Sequence, residues 1–390
     1  MARGSNASCL FLYKHLKDYT MKRFLIAAAA LSIGTATMAQ EKVYTYEFKD
    51  VKVNPATSVK NQARTGTCWC FSTISFMESE LLRMGKGEFD FSEMYIVRNN
   101  YERRMDDNTM RRGRGNIGEG SLAHMATYAI NKFGLIPEEV YSGINYDSKT
   151  HNHTRLQSYV KAISAQAVEN KERIPAELKK GLLDAFMGEV PATFTYKGKE
   201  YTPQSFYKSL GLDMADYVEI TSFNHHPYYQ LIPLEIPDNW DHAMFYNVPL
   251  DDFIRIMDHA IESGYTFVWD GDVSERSYDF NHNKIALNTA VDLKAGKVKE
   301  RAEEIPVTQQ TRQRDFENFT TTDDHLMHIT GIAKDQEGVK YYITKNSWGY
   351  ERNGTGYMHM SENFVRAKTV SILVHKNSIP KDLKAKLGIK

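Results

Sequence analysis

Two cysteines one residue apart, Cys68 and Cys70, stand where the loop NQARTGT (61–67) gives way to an apolar helical pattern. A thiol in the first turn of a helix meets unpaired N–H groups and the positive end of the helix dipole, which favour an anion and lower a thiol pKa. Cys68 therefore qualifies as a nucleophile. Cys70, about 200° further round the helix, falls on the apolar stripe and is expected to pack in the core, while Cys68 faces away from its own lobe. Thiols this close rarely meet disulfide geometry, so they are not expected to staple the fold. Histidines are the other side chains suited to moving protons near neutral pH. His225-His226, His242 and His259 have no metal-ligand spacing and are expected as surface or satisfied core residues. His325 and His328 share the segment HLMHITG (325–331), and a period of two puts them on opposite faces of a strand.

The elements that must position these groups follow from periodicity. Apolar residues at 70, 74, 77, 81 and 84 make one stripe on a helix from Cys68 to Met84, closed by Gly85. A second helix is expected over Ser121–Phe133, with Ser121 as N-cap and Gly134 as stop. A third, capped by Asp251 or Asp252, runs to Ser263. The C-terminal third is β-rich, at 265–269, 325–330, 340–346, 356–360 and 368–376. Helices first and strands later imply an α+β protein with two lobes. Residues 151–245 are polar, Tyr-rich and broken by prolines, and read as an inserted region. The arginine-rich segment RRMDDNTMRRGRG (103–115) is expected as a solvated loop.

Three motifs, in this order, resemble those of papain-like cysteine peptidases. NQARTGTCWCF resembles the nucleophile segment, with Gln62 six residues before Cys68 and Trp69 directly after it. HLMHITG resembles the family's histidine strand, in which the catalytic histidine precedes glycine or alanine by six residues, as His325 precedes Gly331 and His328 does not. KNSWG (345–349) resembles its Asn-Ser-Trp-Gly turn. The resemblance implies a helical lobe and a β-barrel-like lobe, with Cys68 as nucleophile and His325 as its base in a thiolate and imidazolium pair. It further implies that Asn346 orients the imidazole, that Gln62 and the Cys68 N–H form an oxyanion hole, and that Trp348 shields the His325–Asn346 pairing. No metal or organic cofactor is implied, though a reducing environment should help an exposed low-pKa thiol.

Cys68 and His325 are 257 residues apart, where the plain family needs about 130–150. The excess is similar to that of the bleomycin hydrolase and aminopeptidase C branch, which NIGEGSLAHMATYAINKFGLIPEEVY (116–141) also resembles. Residues 40–150 are thus expected as the helical lobe with the nucleophile, 151–245 as a large insertion and 246–390 as the mainly β lobe. Aminopeptidases of that branch end in an arm whose terminal carboxylate fills the unprimed subsites and meets the substrate's free amine. KNSIPKDLKAKLGIK resembles the segment before that arm, so the expected aminopeptidase has an open-cleft endopeptidase or oligopeptidase as its alternative. A silent peptide-binding relative is a further alternative, opposed by the joint presence of Gln62, Cys68, His325 and Asn346. The branch's Gly-Gly strand is replaced by Gly118-Glu119-Gly120, and Glu119 is expected near the unprimed subsites, supplying the missing anion. Hexameric rings occur in the branch, so a homo-oligomer is conceivable.

Composition limits the partners. The chain has 390 residues, 49 basic and 49 acidic, and three cysteines, with a mean hydropathy of −0.51, which excludes a polytopic membrane protein. Met21-Lys22-Arg23, the apolar run FLIAAAALSI and small residues up to Ala39 read as a secretory signal peptide, too short to anchor a span that needs about 20 apolar residues. Export to the periplasm or medium is expected, and translation is expected to begin at Met21. Losing residues 1–39 removes five basic residues and one acidic one, leaving 44 against 48, a charge of −4. That balance speaks against nucleic acid as a partner, and leaves peptides. About ten residues separate Gln40 from the family resemblance, too few for a folded inhibitory propeptide. Protein beginning at Gln40 should therefore be active without further loss of mass, and activity that mass spectrometry ties to a second cleavage would contradict this.

Overall fold

The computed structural model describes residues 44–295 and 298–390; the expected signal peptide and start site lie outside them. Of these, residues 45–295 and 302–390 form one compact unit, described below. Tyr44 and 298–301 belong to a second, in which the Tyr44 N–H donates to the Val298 carbonyl at 2.7 Å.

In chain order the first unit contains β1 (Phe48–Val53), α1 (Cys68–Arg83), α2 (Glu93–Met110), α3 (Ala123–Phe133), α4 (Thr154–Asn170), α5 (Ala176–Met187), β2 (Phe194–Tyr196), β3 (Lys199–Tyr201) and α6 (Pro203–Leu210). Then come β4 (Tyr217–Thr221), β5 (Gln230–Pro233), β6 (Met244–Asn247), α7 (Leu250–Glu262), β7 (Phe267–Gly271), β8 (Tyr278–Asp279), β9 (Ile285–Ala286) and α8 (Gln309–Glu317). β10 (His325–Asp335), β11 (Lys340–Lys345), β12 (Tyr357–Ser361), α9 (Glu362–Lys368), β13 (Thr369–His375) and α10 (Lys381–Leu387) complete it.

One mixed sheet in the order β5-β6-β4-β13-β7-β10-β11-β12-β9-β8, with β1 added to β10, organises the molecule. Its end strands do not pair with each other, so no barrel is closed. The sheet separates two apolar cores. On one face, Leu326, Val268 and Leu373 meet α1 to α6; on the other, Met327, Ile329, Trp269 and Ile372 meet α7, α9 and α10. The alternation of Leu326 and Met327 between cores is the period of two at work. β10 is long enough to pair at 325–329 with β7 and at 331–335 with β1, which holds His325 at the strand's entrance opposite Gly271. A Cβ on Gly271 would run into the Lys368 carbonyl and the Trp269 ring, so this close approach requires glycine.

Helix α1 begins at Cys68 as the pattern indicates, yet residues 68–81 are buried on every side, including Glu78 and Glu80. It is clasped between helices and sheet, so one apolar stripe understates its burial. Three local expectations need correction. α3 starts at Ala123, and Ser121 instead accepts from the Trp240 indole N–H at 3.0 Å. α7 starts at Leu250 after Pro249, placing Asp251 and Asp252 in its first turn, where they still favour the dipole. The arginine-rich segment is helical to Met110, and Arg104 is 1% exposed; its guanidinium caps backbone carbonyls of the 116–120 segment, a use that local polarity does not reveal.

The stretch 151–245, left without assigned elements by sequence, contains α4–α6 and β2–β6. β4 joins the main sheet beside β13. Charges tie it to the helices: the His124 ring on α3 lies 3.3 Å from Glu219 Oε1 on β4 and 2.9 Å from Asp241 Oδ1, and Arg103 reaches Asp241 at 3.1 Å. Burial alone would push the His124 imidazole down, but the Asp241 and Glu219 hydrogen bonds outweigh it and raise it to about 9 from 6.5. An imidazolium raised in this way stabilises fully below its unfolded value, and that stabilisation is lost as pH rises through the folded one. The denaturation midpoint should therefore fall between pH 6.5 and 9, and His124→Gln should flatten that decline; an equal slope in the variant would remove His124 as its cause.

Candidate active site

The loop before Cys68 is stitched to the turn after β11. The Gln62 N–H donates to the Ser347 carbonyl at 2.9 Å and the Gly349 N–H to the Lys60 carbonyl at 3.1 Å, with Asn61 bridged to Trp348 between them. Ser347 Oγ donates to Gln62 Oε1 at 2.6 Å, and Gln62 Nε2 donates to the Thr65 carbonyl at 2.8 Å. This fixes the Gln62 amide, with Nε2 carrying one further N–H. The motif around Cys68 and the motif around Asn346, remote in sequence, are thus one local structure.

His325 Nε2 lies 2.9 Å from Asn346 Oδ1. The same oxygen accepts from the Ser347 N–H at 2.7 Å, and Asn346 Nδ2 donates to Tyr278 Oη at 3.3 Å. The amide orientation is thereby set, so Nε2 carries the histidine's proton and Nδ1 keeps its lone pair. Trp348 covers the imidazole with ring centroids 4.8 Å apart, and is itself held edge-on by Phe280. Burial pushes His325 down to about 4, only partly offset by Asn346.

The Cys68 sulfur faces the backbone N–H of Leu326, the residue after His325. The lowered thiol pKa expected from helix position is not what the structure shows. Burial pushes the thiol up to about 12, the Leu326 N–H opposes this, and Asp323, Asp238 and Asp270 raise it further. The helix terminus stabilises an anion, but removing the sulfur from water costs more. Burial thus disfavours the charged form of each group. Cys70 is fully buried and donates to the Glu93 carbonyl at 3.3 Å, as its stripe position requires.

His328 turns to the opposite face from His325. Lys345 Nζ donates to Ser75 Oγ at 2.6 Å, and Ser75 in turn lies 2.9 Å from His328 Nδ1. Burial and Lys345 hold His328 well below its ordinary value. Thr57 joins this chain to Glu78, which burial raises to about 7. This network, which sequence reading missed, fastens α1 to β10 and to the residue preceding Asn346.

The Gly118-Glu119-Gly120 segment lies against the nucleophile loop. Glu119 Oε2 accepts from the Gly66 N–H, and its carbonyl accepts from Trp69 Nε1 at 3.0 Å. A Cβ on Gly66 would come within 2.9 Å of the Glu119 Cβ, and one on Gly120 would collide with the Asp238 carboxylate. Arg104 donates to the Gly118 carbonyl at 2.8 Å and to that of Gly120. Burial raises the Glu119 carboxyl, with the Gly66 N–H opposing. Glu119 therefore braces the loop before Cys68 through Oε2.

The structure also assembles His225 and His226 with Glu235, at 3.2 and 2.7 Å, a grouping of metal-ligand type that spacing did not signal. Gln313 decides its chemistry. Its Oε1 accepts from the Asn224 N–H at 2.7 Å and its Nε2 lies 2.9 Å from His225 Nδ1. Nδ1 is thus an acceptor and Nε2 carries the proton towards Glu235, the wrong tautomer for a metal at Nε2.

The Peptidase C1-like family matches residues 115–389, which include His325 and Asn346 and begin downstream of Cys68. Aminopeptidase G of Lactobacillus delbrueckii subsp. lactis is 24% identical, over 84% of this chain and 83% of its own. Aminopeptidase C of Listeria innocua serovar 6a is 25% identical, over 93% and 88%. The crystal structure of PepW from Lactobacillus rhamnosis HN001 superposes with a TM-score of 0.66 at 19% identity, covering 87% of this chain and 84% of that one, a likeness of fold. With more than two thirds of its residues matched, the chain belongs to the Peptidase C1-like family, the papain-like cysteine peptidases of the aminopeptidase C and bleomycin hydrolase branch.

Proposed function

We propose that this protein is an exported aminopeptidase working through Cys68, His325 and Asn346. The observation that carries the reading is the shielded His325 Nε2 to Asn346 Oδ1 bond of 2.9 Å, which leaves Nδ1 as a base one residue away from the amide that faces the Cys68 sulfur. As the sulfur attacks the scissile carbonyl carbon, its proton passes to Nδ1. The oxyanion accepts hydrogen bonds from the free Gln62 Nε2–H and from the Cys68 N–H, which has no intrahelical partner at the first position of α1. The C–N bond then breaks, the imidazolium protonates the leaving amine, and a thioester remains. Water attacks the thioester, giving its proton to His325, and the acid product leaves with the thiol restored. The substrate is a peptide, and the chemistry needs no cofactor. The names of the relatives support the aminopeptidase assignment, and the leader-like residues 21–39 support export.

The test is hydrolysis of matched fluorogenic substrates, one with a free α-amine and one N-acetylated, by protein 40–390 with thiol reductant. Cleavage of the free-amine substrate alone, abolished in Cys68→Ala, is the expected result. Equal cleavage of both would establish an endopeptidase, and cleavage that survives Cys68→Ala would reject the nucleophile.

The same assay separates the supporting roles. Gln62→Ala should lower kcat by about 10²–10³-fold through loss of an oxyanion donor. Asn346→Ala should cost about 10²-fold by letting the imidazole drift. Rates within a factor of two of wild type would remove either residue from the mechanism.

A further inference from the structure

Segment 116–120 is fastened at its main chain. The Arg104 guanidinium donates to the carbonyls of Asn116 at 3.1 Å, of Gly118 at 2.8 Å and of Gly120. Gln157 Nε2 on α4 donates to the Ile117 carbonyl, and Trp69 Nε1, beside the nucleophile, donates to that of Glu119 at 3.0 Å. None of these bonds uses the Glu119 side chain, so the course of the segment does not depend on it. That side chain instead reaches out of the segment, where its Oε2 accepts from the Gly66 N–H. The approach is so close that a Cβ on Gly66 would lie 2.9 Å from the Glu119 Cβ, a fit that glycine allows.

Gly66 sits between the two donors assigned above to the oxyanion. On one side of it, the Thr65 carbonyl accepts from Gln62 Nε2 at 2.8 Å and Thr65 Oγ1 donates to the Gln62 carbonyl at 2.8 Å. On the other, Thr67 leads into α1, and its carbonyl accepts from the Cys70 and Phe71 N–H groups at 3.0 and 3.2 Å. The Thr67 hydroxyl gives the helix no cap and lies 2.5 Å from Thr65 Oγ1. The loop is tied to the rest of the molecule at Gln62, through Ser347, and at Arg64, whose N–H donates to the His151 carbonyl at 3.1 Å. Glu119 supplies the next hold, two residues before Cys68. A shift of Gly66 would carry the Thr65 carbonyl, and with it the Gln62 amide, on one side and the Cys68 N–H on the other. Misplacement by about 1 Å is enough to cost about 10²-fold in rate.

We propose that Glu119 is a positioning residue for the oxyanion site: its acceptor oxygen fixes Gly66 and, through Gly66, the placement of the Gln62 Nε2–H relative to the Cys68 N–H. The inference rests on the peptidase reading above. Glu119 touches no reacting atom in this role and acts through the loop. The acceptor oxygen therefore matters more than the charge, and its loss is felt where the oxyanion forms, in kcat, rather than in substrate capture.

Three variants of protein 40–390, assayed with the fluorogenic substrate that wild type cleaves, separate this role from a purely structural one. Glu119→Gln keeps an acceptor oxygen at the same reach, Glu119→Ala removes it, and Glu119→Leu removes it while filling the space. The Gln variant should stay within about threefold of wild type, whereas Ala and Leu should each lower kcat by about tenfold or more, with KM changed by less than about threefold, the scale of one lost hydrogen bond to a charged group. Combined with Gln62→Ala, the Ala substitution should slow the enzyme by no more than about threefold further, because a brace and the donor that it positions act as a unit. The main-chain bonds of 116–120 persist in every variant, so thermal midpoints should stay within about 4 °C of wild type. Wild-type rates in Ala and Leu, a Gln variant as slow as those two, a loss confined to KM, or full additivity with Gln62→Ala each overturns the proposal alone. Failure of both Ala and Leu to fold makes the role structural and overturns it too. No Cys68-dependent cleavage by the wild-type protein overturns the peptidase reading, and this proposal with it.

Discussion

Burial of Cys68 and His325 at the seam between α1 and β10 is the constraint from which the rest of the structure follows. A thiol and an imidazole removed from water are both pushed towards neutrality, and every polar atom beside them must find a partner inside the protein. Hence Asn346 is held by Ser347 and Tyr278, Gln62 by Ser347 and Thr65, and the Cys68 sulfur lies against the Leu326 N–H. The Asn346–Tyr278, Gln62–Ser347 and Cys68–Leu326 contacts join segments far apart in sequence. These bonds hold the groups in one arrangement.

The same constraint explains the second polar layer. α1 packs against the sheet through a helix face that is only partly apolar, and the hydrophilic remainder is absorbed by the Glu78, Thr57, Lys345, Ser75 and His328 chain. Lys345 immediately precedes Asn346, so holding its ammonium group inside the core also fixes where β11 delivers the asparagine. Burial, with that cation beside it, holds His328 well below its ordinary value.

Residues 151–245 are not an appendage to this core. β4 extends the main sheet and carries Glu219, while the loop before β6 carries Asp238 and Asp241. Asp241 and one oxygen of Glu219 are consumed by His124 and Arg103. Asp238 adds negative charge near the Cys68 sulfur. Residues 151–245 thus both join the helices to the sheet and shape the potential around Cys68.

Much of this was legible in the order of residues. Cys68 at a helix start, Cys70 on the apolar stripe, the strand at 325 and the opposition of His325 and His328 all follow from local periodicity, which acts within a few residues of chain. Glycine and tryptophan at the Asn346 turn were legible as a motif through resemblance. Tertiary structure alone decided what depends on water exclusion and on distant neighbours. Helix position favours a Cys68 thiolate, but burial against β10 reverses it; an arginine-rich polar run reads as solvated, but Arg104 is buried because the 116–120 carbonyls need a donor. Glu119 is an unattached acid in sequence and a brace for Gly66 in space. Local patterns specify helices, strands and faces because those depend on chain geometry, whereas charge states and partnerships depend on which segments meet, and only the folded packing settles that.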